Sequence, residues 1–268
     1  LAHGSLEVRQ SLVAELKACE LVLAAMAAFP EDAGVQLNVC RAVAALSQDN
    51  PKGREKLLGM DVCDDIAKAS LAFAEHPEVL CGVFEAVGML CSGRCESQRL
   101  LITAGVGKGV MAAMATFAED PEVQSKGCMA MTGLTMDFAD GQFHFLSGGS
   151  CDLVLAALEG FPEDAEVRRS AWLAASCLAG ESAEGQKHFL EAGAVEKVLS
   201  ALRAFPECSP TQGSGCWFVK SMALGCPEGK GRLLDGGVCQ DIRAALVACL
   251  GDGAAESAVC SAISALCY

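Results

Sequence analysis

Hydrophobic and polar positions along this chain recur with a period of three to four residues and nowhere with a period of two. Val195, Val198, Leu199 and Leu202 stand at i, i+3, i+4 and i+7, with Glu196, Lys197 and Ser200 between them. That spacing puts the apolar side chains on one stripe of an α-helix. No segment shows the alternation of a half-buried strand, so the pattern predicts helices only.

The apolar segments are also copies of one another. Leu46, Leu90, Leu134, Leu178, Met222 and Leu266 stand 44 residues apart. Six positions earlier the same register gives Cys40, Phe84, Cys128, Trp172, Cys216 and Cys260, and eleven positions earlier Val35, Val79, Val123, Val167, Thr211 and Ala255. Three columns held over six copies define an internal repeat. A proline turn precedes the third-helix segments: Phe29-Pro30-Glu31-Asp32, His76-Pro77-Glu78, Asp120-Pro121-Glu122, Phe161-Pro162-Glu163-Asp164 and Phe205-Pro206-Glu207. Read as one turn, it puts Pro at the first position of a helix, where a missing N–H costs nothing. The acidic residues that follow suit the positive end of the helix dipole.

A second set of landmarks divides the unit further. Leu57-Leu58-Gly59, Leu100-Leu101, Phe145-Leu146 with Gly148-Gly149, Phe189-Leu190 with Gly193, and Leu233-Leu234 with Gly236-Gly237 share the same rhythm. Each is read as a short helix that ends in a double apolar pair, then a glycine corner, where glycine can take positive φ. A second helix follows, then the proline turn and a third helix.

A short helix and two longer ones around a glycine corner, in units of about 40–47 residues, resemble the armadillo repeat. The clearest copy runs from Phe189-Leu190 through Gly193-Ala194-Val195-Glu196-Lys197-Val198-Leu199-Ser200-Ala201-Leu202. HEAT repeats, with two helices and no glycine corner, fit less well. The resemblance covers nearly the whole chain. It implies an all-α, right-handed α-solenoid of about six three-helix repeats, in which each repeat buries its apolar face against its neighbours. The expected repeats are 1–47, 48–91, 92–136, 137–180, 181–226 and 227–268, forming one continuous domain, 1–268.

Composition narrows the function. Hydrophobic residues make up 52 % of the chain and charged residues 20 %, enough for a core, while aromatics are only 5 %. Such a core, built from Ala, Leu, Val, Met and Cys, suits close helix packing better than a sheet. The formal net charge of −14 argues against non-specific binding to a phosphate backbone or to an anionic membrane surface. No apolar run reaches the roughly 18 residues of a membrane span, so no direct membrane insertion is expected. There are 16 cysteines, most of them inside apolar helical segments, where a free thiol packs as a small hydrophobe. With no Asn-x-Ser/Thr sequon as well, the expected location is the cytoplasm or another reducing compartment. The alternative is an organelle interior after removal of a targeting peptide. A chain that begins at Leu1 is read as a processed mature chain or an excised piece of a longer one.

The residues that tempt a catalytic reading fall on repeat positions. His144 and His188 are 44 apart, each just before Phe-Leu. Cys63, Cys151 and Cys239 are 88 apart and, with Cys40, Cys128, Cys216 and Cys260, are expected to be packing residues. Cys91 and Cys95 form one local pair, for which metal binding and a disulfide are the candidates, but a zinc site needs a second close pair. Gly105-Val106-Gly107-Lys108-Gly109 lacks the spacing of a phosphate loop and falls on a corner. No acidic pair recurs at a spacing that would aim two carboxylates at one substrate. The expectation is a non-catalytic protein with no cofactor and no metal.

In armadillo folds the third helices line a concave face, and peptide-binding members often carry an Asn ladder just before the repeat Leu, with Trp one turn earlier. Here the Asn column reads Ala45, Met89, Gly133, Cys177, Ser221 and Ala265, and the Trp column Arg41, Glu85, Met129, Leu173, Trp217 and Ser261. Only Trp217 matches. Trp172, one residue off, is expected to point into the core. The partner-binding face is accordingly expected at Arg41, Glu85, Met89, Met129, Leu173, Cys177 and Trp217, as an apolar track for an apolar or amphipathic segment of a protein partner. The expected function is a protein–protein interaction scaffold or adaptor. The alternative, suggested by the uncapped apolar end Ala262-Ile263-Ser264-Ala265-Leu266, is a permanently assembled subunit of a large complex.

Overall fold

The structure, a computed structural model, describes residues 6–14, 17–91 and 95–268. All regular elements among these residues are helices, and they form six triplets. The first three triplets are α1 (Leu6–Ala14), α2 (Ala18–Ala28) and α3 (Ala33–Ser47); α4 (Pro51–Leu58), α5 (Val62–Ala72) and α6 (Pro77–Cys91); α7 (Cys95–Thr103), α8 (Val106–Thr116) and α9 (Pro121–Thr135). The others are α10 (Ala139–Ser147), α11 (Ser150–Gly160) and α12 (Ala165–Ala179); α13 (Ala183–Glu191), α14 (Ala194–Ala204) and α15 (Ser209–Ala223); α16 (Pro227–Asp235), α17 (Val238–Ala248) and α18 (Gly253–Cys267). Each triplet lies within one expected repeat. The helices group into two compact units, Leu1–His144 and Phe145–Tyr268.

Within each unit the third helices stack on one another. In the first unit α3 packs on α6 and α6 on α9; in the second α12 packs on α15 and α15 on α18. The columns of the sequence are the seams of these contacts. Cys40, Phe84, Cys128, Trp172 and Cys216 are buried, as are Leu46, Leu90, Leu134, Leu178 and Met222. Complete burial of one such Leu or Phe side chain is worth about 1.5–3 kcal/mol. Trp172 lies in the core as expected, its ring 5.0 Å from that of Phe218, which in turn meets Phe189 edge-on at 5.4 Å. The packing expectation fails for two cysteines: Cys239 on α17 and Cys260 on α18 are exposed. Cys40 and Cys216, by contrast, lie on third helices that pack on α6 and α18.

The proline turns do not share one register, contrary to the reading of the sequence. The residues 44 apart are Phe29, Phe73, Phe117, Phe161 and Phe205, and each is the C-cap of a second helix. Each phenylalanine carbonyl accepts the N–H of the residue three further on: Asp32, His76, Asp120, Asp164 and Cys208. Pro77 and Pro121 then open α6 and α9, whereas Pro30, Pro162 and Pro206 sit three positions earlier in the turn itself. Both places accept proline, the first because the N–H has no partner, the second because a turn favours its fixed φ. Asp32, Asp120, Asp164 and Asp252 cap their third helices through the carboxylate.

The corner before each second helix is left-handed in all six triplets, at Lys17, Asp61, Gly105, Gly149, Gly193 and Gly237. Gly59, expected as a corner, has φ −71 and merely ends α4; Asp61 makes the turn. A second left-handed corner, between one triplet and the next, falls on Asp49, Asp137, Glu181 and Gly225. Beyond it the first helix is pressed onto the end of the preceding third helix. A Cβ on Gly53, Gly141 or Gly185 would lie 2.2 Å from the carbonyl oxygen of Leu46, Leu134 or Leu178. The side chains of Asn50 and Ser182 accept the N–H of Gly53 and Gly185 at the same place.

Every second triplet adds a buried amide clamp. Gln36, Gln124 and Gln212 each donate to two carbonyls at the end of the second helix: Met26 and Phe29, Met114 and Phe117, Leu202 and Phe205. Those carbonyls have no partner within their own helix, and the clamp ties second helix to third. Gln98 and Gln186 do the same for the ends of α9 and α15, through Gly133 and Met136, and through Ser221 and Leu224.

Three outcomes follow for stability. Gly185→Ala should destabilise by about 1–3 kcal/mol, the usual cost of overpacking, whereas Gly231→Ala, where a Cβ meets nothing within 4 Å, should stabilise by about 0.5–1 kcal/mol. Trp172→Ala should cost about 3–5 kcal/mol. Urea unfolding followed by far-UV circular dichroism measures all three, and equal midpoints for the two alanine variants would refute the close-approach account.

Candidate partner-binding face

A third helix of fifteen residues has most of its circumference buried, so few positions remain to meet anything else. One step beyond the buried column of Cys40, Phe84, Cys128, Trp172 and Cys216 stand Arg41, Glu85, Met129, Leu173 and Trp217. Arg41 is exposed, and the other four are half-buried. One turn further along, Met89 and Cys177 are half-buried as well. All seven expected residues therefore lie on the third helices at positions that the stacking leaves partly open.

In the first unit the structure brings Arg41, Glu85 and Met129 into one register on the adjacent helices α3, α6 and α9, with Met89 one turn beyond Glu85. Glu85 lies 3.8 Å from Lys126 of α9, so the charge of Glu85 is paired. Such a surface pair adds about 0–1 kcal/mol. In the second unit Leu173 and Cys177 lie on α12 and Trp217 on α15. Lys220, one turn on, places its ammonium 4.8 Å from the centre of the Trp217 ring, within reach of a cation–π contact.

The column in which an Asn ladder would stand is used differently. Ser221 is buried, and its hydroxyl meets the Ser176 hydroxyl at 2.9 Å and donates to the Ser176 carbonyl at 3.0 Å. In the first unit the corresponding residue is Gly133, where a Cβ would sit 3.2 Å from the Gly88 Cα. At both places two third helices approach so closely that only a small side chain fits. Met89 and Cys177 are the larger side chains of the column that remain partly open.

Sequence reasoning missed Lys126, which only the packing places beside Glu85, and Lys220, whose i,i+3 spacing from Trp217 on α15 was the available signal. It also missed Met136 and Leu224, the exposed C-caps of α9 and α15; their separation of 88 residues was the available signal. The other tempting motifs fall on structural positions. Gly105 is the left-handed N-cap of α8, and Val106 to Gly109 form its first turn. His188 Nε2 lies 2.8 Å from Asp152 Oδ1 in an exposed pair. Burial pushes the Cys40, Cys128, Cys151 and Cys216 thiols up to about 12, which leaves them protonated and inert. Cys91 is buried; Cys95 opens α7, and its side chain, like residues 92–94, lies outside what the structure describes. Among the described residues no three His, Cys, Asp or Glu side chains gather to hold a metal ion, and no helix is long and apolar enough to cross a membrane.

Comparison with known proteins bears on the same fold. The family model for the LRRK2 ARM repeat matches residues 89–227. No curated protein gives a significant sequence match. Among solved structures, a crystallised engineered protein superposes with a TM-score of 0.75 at 18 % identity, over 93 % of this chain and 96 % of that one. A designed armadillo repeat protein, YIII(Dq)4CqI, superposes at 0.69 and 17 % identity, over 88 % and 94 %. Another designed armadillo repeat protein, in complex with the peptide (KR)4, superposes at 0.66 and 17 % identity, over 85 % and 92 %. At these identities the likeness is one of fold. With the family model matching more than half of its length, the chain belongs to the armadillo repeat family.

Proposed function

We propose that this chain is a non-catalytic scaffold or adaptor that takes an apolar or amphipathic helical segment of a protein partner on the open face of its third helices. Armadillo repeats commonly mediate protein binding, and a designed member binds a basic peptide. The observation that carries the reading is Trp217. It is a large, half-buried aromatic on α15, its ring steadied by Lys220, with Leu173 in the same register on α12. Tryptophan is a favoured interface anchor, and methionines such as Met89 and Met129 adapt to irregular partners. The paired charge of Glu85 and the small or apolar residues of the Asn column favour an apolar segment over a basic one. A reducing compartment is part of the proposal, supported by the many free thiols packed in the core.

A second reading, a permanently assembled subunit, draws on a different observation. Leu246, Val247 and Leu250, at and just beyond the end of α17, and Ile263 and Tyr268, on and just after α18, are all exposed. Size-exclusion of the isolated chain separates the two: a clean monomer favours the adaptor, aggregation relieved by a co-expressed partner favours the subunit.

For the adaptor, Trp217→Ala should weaken partner binding by about 2 kcal/mol, roughly thirtyfold in Kd. Its circular dichroism and melting temperature should match the parent, since this ring is not a core residue. Isothermal titration against the captured partner reads the affinity, and an unchanged Kd would rule out this face.

A further inference from the structure

Three residues that break the columns of the repeat meet at one point in the second unit. Arg168 stands in the column of Gln36, Gln124 and Gln212. Thr211 stands in the column of Val35, Val79, Val123 and Val167. Cys208 stands where Asp32, Asp120, Asp164 and Asp252 cap their helices. The three positions are scattered in the sequence pattern, but the structure joins them at the head of α15.

The geometry is a relay that ends on sulfur. Arg168 Nε donates to Thr211 Oγ1 at 3.3 Å, and that hydroxyl donates to Cys208 Sγ at 3.2 Å. Arg168 also donates to the Pro162 carbonyl at 2.8 Å, and its guanidinium lies 3.5 Å from the centre of the Phe205 ring. The side chain is 4 % exposed, yet no ion pair among the described residues includes it. A buried guanidinium with only neutral acceptors lacks a counter-anion. The one acid that it and Thr211 address is the Cys208 thiol. Asp252, at the N-cap of α18, is already taken up by the Ser209 hydroxyl and the Ala255 N–H, and Glu207, which precedes Cys208, is exposed. Cys208 itself is partly exposed, so a reagent can reach it.

We propose that Cys208, addressed by the Thr211 hydroxyl and the buried Arg168 at the N-cap of α15, is the reactive thiol of this protein and a site of covalent modification by α,β-unsaturated carbonyl compounds. Unlike the aspartates at this position, Cys208 makes no side-chain cap hydrogen bond, so its sulfur is left to Thr211 and Arg168, and a cysteine in an electropositive, partly exposed setting is the nucleophilic kind. Burial alone would push this thiol up, but the hydrogen bonds of Thr211 and Arg168 and the charge of Arg168 outweigh it and hold the thiol below its ordinary value. The addition is redox-neutral. The thiol releases its proton to water, the sulfur forms a bond to the β-carbon, the C=C pair shifts to the α-carbon, and that carbon takes a proton from water.

Acrylamide serves as the probe, applied briefly to the folded chain across a pH series, with modification at each cysteine read by peptide mass spectrometry. The exposed Cys239, Cys260 and Cys267 are internal references. At pH 7 Cys208 should react roughly tenfold faster than these three, with its rate midpoint at lower pH. Thr211→Val and Arg168→Gln restore residues used at the same columns elsewhere in the chain and should bring Cys208 to the reference rates. The proposal is overturned if Cys208 reacts no faster than the references at pH 7, or if both variants, folded by circular dichroism, leave its midpoint in place. Should a variant fail to fold, the comparison within the parent chain decides by itself.

Discussion

No triplet in this protein closes its own core. The apolar seam of each third helix is completed by the third helix of the next, α3 by α6 and α6 by α9 in one unit, α12 by α15 and α15 by α18 in the other. Burial of that seam is the term on which the rest depends, because a helix of fifteen residues is marginal in water by itself. It explains why the chain repeats at fixed spacing: a one-residue slip would rotate Phe84 or Trp172 out of the seam.

The same stacking decides which positions of the third helices stay open. Where third helices approach most closely, at Gly88 with Gly133 and at Ser176 with Ser221, the facing column is occupied by packing. A long amide there would have to displace a neighbouring backbone. The open positions are instead the flanking ones, at Glu85, Met89, Met129, Leu173, Cys177 and Trp217. Their mostly apolar character follows from the half-buried setting, in which a lone charge would be poorly hydrated and Glu85 is met by Lys126.

An alternation of 88 residues overlies the repeat of 44. The amide clamps Gln36, Gln124 and Gln212 belong to it, as do the pairs Gly88–Gly133 and Ser176–Ser221 and the exposed caps Met136 and Leu224. Each repeat thus differs from its neighbour more than from its second neighbour. Against that regularity a departure such as Arg168, Thr211 and Cys208 stands out, and proximity turns three separate departures into one chemical environment.

Much of the fold was legible in the sequence because the determining signal is periodic and local. Helix class, the repeat and the burial of Trp172 follow from apolar spacing, since a stripe on a helix can be buried in only one direction. Where a local signal had two physical meanings the sequence misled: Pro30 and Pro77 look alike but occupy different turn positions, and Gly59 draws attention from the left-handed Asp61. The seven residues of the candidate face could be placed on a row but not given neighbours. Only the tertiary structure put Lys126 beside Glu85 and Arg168 against Thr211. Hydrogen bonds and ion pairs are made at distances of about 3–4 Å, between residues some 40 positions apart, and no period in the sequence carries that precision.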